Sequence, residues 1–388
     1  VLKTFGRRCL ILLLFFQASG CGATKPISLA PKIDNGFESG GTLFKGLQLE
    51  RDLEDKILAL NPEEISERAI SEILPKAPAP RIILIHGGVP LVYLAMESFA
   101  DFLIAMGYPE GRIRHPLDGS YSFTPYRNSE EIAGMVAWYY EREGMRPILI
   151  GHSLGGIQVV QVLYDLADAF ADKIAVWNPL TEAAVGRYSI VDPIAGTERP
   201  VVGLQIGFAT AVASGGLGRL LRWQMTHRLR SIPDTVEEFT GFSIGLDVIG
   251  GDFFGLWESP NDYQPSGVAT VRNVWLPSRY NHLTVTATKH LAAHQEVRDW
   301  INDYRPGKSA EFSTELDVSN ILWAADVWRS VKKHWCLEVQ RLIRSERSSK
   351  LSGARRSGDV AAAVDKAFAF ELSIVSRTGA ALACDTCE

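Results

Sequence analysis

The sequence predicts an α/β protein, with a mostly parallel, doubly wound sheet covered by helices on both faces. Three observations carry this expectation. Arg81-Ile82-Ile83-Leu84-Ile85 and Pro147-Ile148-Leu149-Ile150 contain continuous apolar runs, the pattern of strands buried on both faces. Each runs straight into a glycine-containing turn, His86-Gly87-Gly88 in the first case and Gly151-His152-Ser153-Leu154-Gly155 in the second. A helix-forming segment follows each turn at once, and this β-α alternation implies a parallel sheet with right-handed crossovers.

With 388 residues, 46% of them hydrophobic, the chain is long enough for one full-sized core plus appendages at both ends. A formal net charge of -5 is small for this length and excludes a global electrostatic argument for nucleic acid as partner. Residues 1–21 read as a signal peptide. Lys3, Arg7 and Arg8 precede the apolar run Cys9 to Phe16, which is too short to span a bilayer. Ala18-Ser19-Gly20-Cys21 then resembles a bacterial lipobox, although Ala18 stands where leucine is usual. The resemblance implies export, lipidation of Cys21, anchorage in the cell envelope and, with Gly22 next, sorting to the outer membrane in a Gram-negative producer. Cys384 and Cys387 have C-x-x-C spacing but no second pair or histidine cluster, so the expectation is no metal.

Residues 22–79 read as a tether followed by helices at Leu47 to Leu60 and from Asn61-Pro62 to about Leu74, with asparagine as N-cap and proline at the first helical position. After the strand before His86 come a helix from Leu91 to Met106, a strand near Arg112-Ile113-Arg114, a helix from Ser129 to Glu143 and the strand ending at Ile150. A helix follows Ser153, and Lys173 to Trp177 reads as another buried strand. Residues 179–251 break the rhythm. Val201 to Leu221 is apolar, but five glycines and Gln205 argue against a membrane span. Pro233 to Glu238 looks like a helix start. This segment is expected to be a cap inserted over the site. Alternation resumes with strands at Phe253 to Trp257 and Val271 to Leu276, and a helix from His290 to Tyr304 closes a domain of 80–305. Residues 306–388 read as a C-terminal helical extension and a poorly defined tail.

The chemistry centres on Ser153. A G-x-S-x-G pentapeptide between strand and helix lifts its serine onto a strained turn, with Gly151 and Gly155 needed because a Cβ at either would strike a neighbour. A serine hydroxyl needs a base, itself held by a third group. His282 lies in the loop after the last expected strand. His290 and His294 sit four apart on a helix, and His86 and His152 belong to the turns. For the acid, Asp262 follows the penultimate expected strand, and Asp252 and Glu258 are alternatives. Backbone N–H groups at Gly88 or Val89 and at Leu154 would form an oxyanion hole.

With strand, H-G-G turn, serine elbow, late aspartate and late histidine in this order, residues 80 to 304 resemble the α/β-hydrolase superfamily, in particular its lipase and esterase branch. The first two strands of larger members are missing from the pattern. The resemblance implies nucleophile Ser153, base His282, acid Asp262 and oxyanion donors at Gly88 and Leu154. It further implies cleavage of a small-molecule or lipid ester without a cofactor. Thioester hydrolysis, amide hydrolysis and acyl transfer would use the same residues, and a non-catalytic envelope binding protein would use none of them.

Overall fold

A computed structural model describes residues 47–169, 173–214, 229–250, 262–308, 312 and 316–350. The signal segment with Cys21, the pair Cys384 and Cys387, Asp252, Glu258 and the strand expected at Phe253 to Trp257 lie outside the described residues.

A helix α1 (Arg51–Leu58) and a series of short turns lead to β1 (Ile82–Ile85). Asn61 caps one of these turns as expected, its Oδ1 accepting from Glu63 N–H at 3.2 Å, but the helix expected here is broken into single 3-10 and π turns. Then come α2 (Val92–Ala105), β2 (Ser122–Phe123), α3 (Ser129–Glu143), β3 (Ile148–His152), α4 (Leu154–Leu166), β4 (Ile206–Val212), β5 (Val236–Ile244), β6 (Thr270–Leu276) and α5 (Gln295–Asn302). A last helix, α6, is described over 321–350.

The six strands form one parallel sheet in the order β6-β5-β4-β3-β1-β2. Alternate residues feed two cores. Ile82, Leu84, Ile148, Ile150 and Phe208 pack under α2, α5, α6 and the N-terminal segment. Ile83, Ile85, Leu149, Ala209 and Phe239 pack under α3, α4 and the stretch from Ile174 to Leu204. Both faces of the sheet are thus covered, which is why β1, β3 and β4 are buried at every position.

Five expectations are corrected. The segment 179–251, expected as a cap, supplies β4 and β5, two central strands. Its apolar, glycine-containing run is the signature of a fully buried strand, and the expected helix start at Pro233 opens β5 instead. Lys173 to Trp177 does not join the sheet. It crosses α3, where Gly134 leaves room for the Ala175 carbonyl that a Cβ would strike. Arg112 ends a 3-10 turn, and the strand beside β1 lies later, at Ser122. Finally, the helix in the supposed extension is part of the domain. Trp323, Trp328 and Trp335 of α6 are fully buried, each worth on the order of 2–3 kcal/mol in area removed from water.

Charged side chains stitch α6 to the rest of the domain. Glu238 at the start of β5 meets Lys333 and His334, Glu338 meets Arg146 and Arg341, and Asp326 meets Arg272. Glu238 and Glu338 are held below the usual carboxylate range because these bonds outweigh the burial that opposes ionisation. Removing one partner of such a pair costs about 3–5 kcal/mol, because it strands the other as a buried charge.

Candidate active site

The carboxyl ends of the strands gather the chemistry, where ligands of open α/β sheets bind. β3 leads directly into Ser153, whose backbone stands at φ 54° and ψ -120°. Among the described residues seven non-glycines have positive φ, and four of them, Leu91, Ser153, Ala213 and Leu246, follow sheet strands at this end. Strain of this kind costs on the order of 1–3 kcal/mol per residue and persists only where the surroundings impose it. Here the Ser153 N–H donates to the Val212 carbonyl at 2.9 Å, tying the elbow to β4. A Cβ on Gly151 would overlap the backbone of Gly155 and Gly156, and one on Gly155 would overlap the carbonyls of Ile85 and His86. α4 therefore starts directly behind the serine, with its positive end at the site.

His282 lies in the loop after β6 and is 7% exposed. Its Nε2 is 2.9 Å from Ser153 Oγ, and its Nδ1 is 2.7 Å from Asp247 Oδ2. Facing a carboxylate, Nδ1 carries the proton, which leaves Nε2 as an acceptor for the serine hydroxyl. The other oxygen of Asp247 accepts from Gly250 N–H at 2.9 Å. The buried carboxylate is thus fixed from both sides in the turn after β5.

Asp247, not Asp262, stands at the acid position. Asp262 precedes a short bridge of Gln264–Pro265 with Ser231–Ile232 that leads toward the amino ends of β5 and β6, and its own carbonyl accepts from Arg230. The signal that could have found Asp247 is its place, three residues after the run Val236 to Ile244, once that run is read as a strand. His290 is half-buried beside Ser319 and Asp317, and His294 is exposed at the start of α5.

His152 has a role the sequence did not reveal. It is fully buried, and its Nε2–H donates to the backbone carbonyl of His282 at 2.7 Å, so the residue before Ser153 holds the main chain of His282. Burial, reinforced by repulsion from His282, pushes its pKa down to about 3 and keeps the ring neutral.

The His86-Gly87-Gly88 turn stacks on the elbow. His86 N–H donates to the Phe123 carbonyl at 3.1 Å, and its Nδ1–H donates to the Gly87 carbonyl at 2.8 Å. Burial lowers the pKa of His86 against the opposing pull of its bond to the Gly87 carbonyl. A Cβ built on Gly87 would come within 3.2 Å of Ser153 Cβ, and one on Gly88 within 3.0 Å of the Leu154 side chain. Tyr126 donates its hydroxyl to the Gly88 carbonyl at 2.8 Å, which fixes the peptide leading to Val89. Gly88 and Leu154 are thereby adjacent.

Serine, imidazole and carboxylate in this chain can move a proton from Oγ while Oγ attacks an electrophilic carbon. Among the described residues no group of three or more His, Cys, Asp or Glu side chains is arranged to hold a metal ion. No helix among them is long and apolar enough to cross a membrane. No family model matches the chain, and no curated protein matches it either.

Proposed function

We propose that this chain is a serine hydrolase of the α/β-hydrolase type that cleaves carboxylic esters through an acyl-enzyme on Ser153. The observation that carries the reading is the continuous hydrogen-bond chain Ser153–His282–Asp247. In the first step Ser153 Oγ bonds to the ester carbon while its proton passes to His282 Nε2. Asp247 stabilises the imidazolium and keeps its tautomer. The tetrahedral oxyanion is received by N–H groups at Gly88 or Val89 and at Leu154, each worth about 3 kcal/mol to the transition state. The C–O bond then breaks, and the leaving alcohol takes the proton from His282. Water repeats the sequence on the acyl-enzyme, regenerating Ser153 and releasing the acid.

Exposed apolar side chains flank the catalytic segments. Leu91 and Leu94 follow the H-G-G turn, Leu246 and Val248 bracket Asp247, and Leu283 follows His282. They favour an apolar acyl group. The lipobox-like segment ending at Cys21 adds to this proposal an exported, envelope-bound enzyme held by a lipid, with no cofactor and no nucleic-acid partner.

A fluorophosphonate probe tests the nucleophile. The protein is expected to be labelled and to hydrolyse nitrophenyl esters, and Ser153→Ala to do neither. Equal labelling of Ser153→Ala would remove the assignment. Fatty-acid incorporation that persists in Cys21→Ser would remove the anchor.

A further inference from the structure

A cavity lies at the edge of the sheet that carries the Ser153 turn. About 260 Å³ in volume, it opens at the carboxyl end of β2. That is just below the roughly 300–1,000 Å³ of pockets for drug-sized ligands, so it fits one compact group. Its walls mix apolar side chains, Leu117 and Phe123, with charged and hydroxyl-bearing ones. His115 bridges two carboxylates, with Nδ1 3.1 Å from Asp118 Oδ1 and Nε2 2.9 Å from Glu182 Oε1. Arg127 bonds the other oxygen of Glu182, and its guanidinium lies 5.3 Å from the Phe123 ring centroid and 5.9 Å from that of Trp177. Leu117, Ser120, Ser122 and Thr124 complete the lining.

The charges select against an anion. Glu131 also pairs with Arg127, so three carboxylates stand around one guanidinium, and the bond from His115 holds the Asp118 carboxyl ionised well below its usual range. What remains is an array that both donates and accepts hydrogen bonds. That array matches hydroxyl groups, each of which does both.

The cavity is also in register with the chemistry. Phe123 lies opposite Ile85, and Ile85 lies opposite Gly151. Two strand spacings, about 10 Å, therefore separate the cavity wall from the strand that leads into Ser153. The loop after β2 presents Tyr126 to the Gly88 carbonyl and Thr124 and Arg127 to the cavity.

We propose that this cavity holds the alcohol half of the substrate and that this half is a polyhydroxylated ring, so that the enzyme deacylates a sugar ester. The proposal rests on the ester-hydrolase reading. With the acyl carbon on Ser153, the ester oxygen points across Gly88 and the sugar lies against Asp118, Ser122 and Arg127.

Two measurements test it, one of them independent of turnover. The octanoyl ester of methyl glucoside is compared with ethyl octanoate, which offers the same acyl group and no ring. The parent is expected to prefer the sugar ester in kcat/KM by about a hundredfold, and Asp118→Asn with Ser122→Ala to shrink that ratio by at least tenfold. Separately, calorimetry follows methyl glucoside binding to Ser153→Ala, with the heat lost when the same two substitutions are added. Equal kcat/KM on both esters, or a ratio that the substitutions leave in place, overturns the proposal. Sugar binding that depends on Asp118 and Ser122, with no ester cleaved by the parent, would instead overturn the hydrolase reading and with it the leaving-group role.

Discussion

Asp247→Asn is the sharpest probe of the site, because the surroundings dictate how the new amide must sit. In the parent, one carboxylate oxygen accepts from Gly250 N–H at 2.9 Å and the other faces His282 Nδ1 at 2.7 Å. An asparagine has one oxygen for these two places. If the oxygen faces His282, its NH2 confronts the Gly250 N–H, and a buried donor left without an acceptor costs about 1–3 kcal/mol. The preferred orientation therefore gives the oxygen to Gly250 and the NH2 to His282 Nδ1. That forces the imidazole proton onto Nε2, where it points at Ser153 Oγ and can no longer accept from it. A wrong tautomer of this kind costs about 10⁴-fold in turnover, close to 5 kcal/mol of transition-state stabilisation. The assay is kcat on a nitrophenyl ester beside the rate of fluorophosphonate labelling, with Asp262→Asn as the control, expected within about twofold of the parent. If Asp247→Asn keeps more than about a tenth of the activity, or if Asp262→Asn loses most of it, the geometric assignment of the acid is wrong.

Three further outcomes are expected. Gly155→Ala should destabilise the fold by about 3 kcal/mol or prevent it, since its methyl would meet two carbonyls of the β1 strand end; a denaturation midpoint equal to the parent's would contradict the tight elbow. His152 is held down to about 3, so between that value and the roughly 6.5 of an unfolded histidine the unfolded chain binds a proton that the native state refuses. Stability present above about pH 6.5 should thus fall as the solution is acidified, by up to about tenfold in the unfolding constant per pH unit, and urea titrations should find that component missing in His152→Gln. Lys332, buried with its Nζ donating to the carbonyls of Ile65 and Asn302 and its pKa pushed down to about 8 by desolvation, is far from the triad in role; Lys332→Met should cost about 2–4 kcal/mol while nitrophenyl ester kcat stays at the parent level, and a variant as stable as the parent would show those bonds to be worth nothing.

The parts visible in the sequence were those whose signals are local. The elbow, the H-G-G turn and the loop position of His282 follow from glycines, short apolar runs and chain order, and the structure brings Ser153, His282 and the turn together. Asp247 is not legible locally, because the strand before it does not look like one. Val236-Glu237-Glu238 carries two carboxylates, which favour a helix start over a buried strand. Glu238 is tolerated there because Lys333 and His334 of α6 meet it from more than ninety residues away, a compensation no local pattern contains. β4 is hidden for the opposite reason: Ile206 to Val212 carries no clear alternation, and its neighbours in the sheet make it a strand. The misplacement of α6 has the same origin, since its buried tryptophans are satisfied by the most distant parts of the chain.

That distance has a consequence for how the protein is made. Trp335 bonds the Pro78 carbonyl, Gln340 bonds those of Ile57 and Leu60, and Arg347 bonds Glu54, across sequence separations of 257, 283, 280 and 293 residues. One face of the earliest strand, with Ile82 and Leu84, is covered by the last helix described. Contacts of such long range close late and slowly. A ribosome emitting this chain therefore releases nearly all of it before the core can shut. Until residues 335–347 have been made, the face of β1 that carries Ile82 and Leu84 lacks its cover.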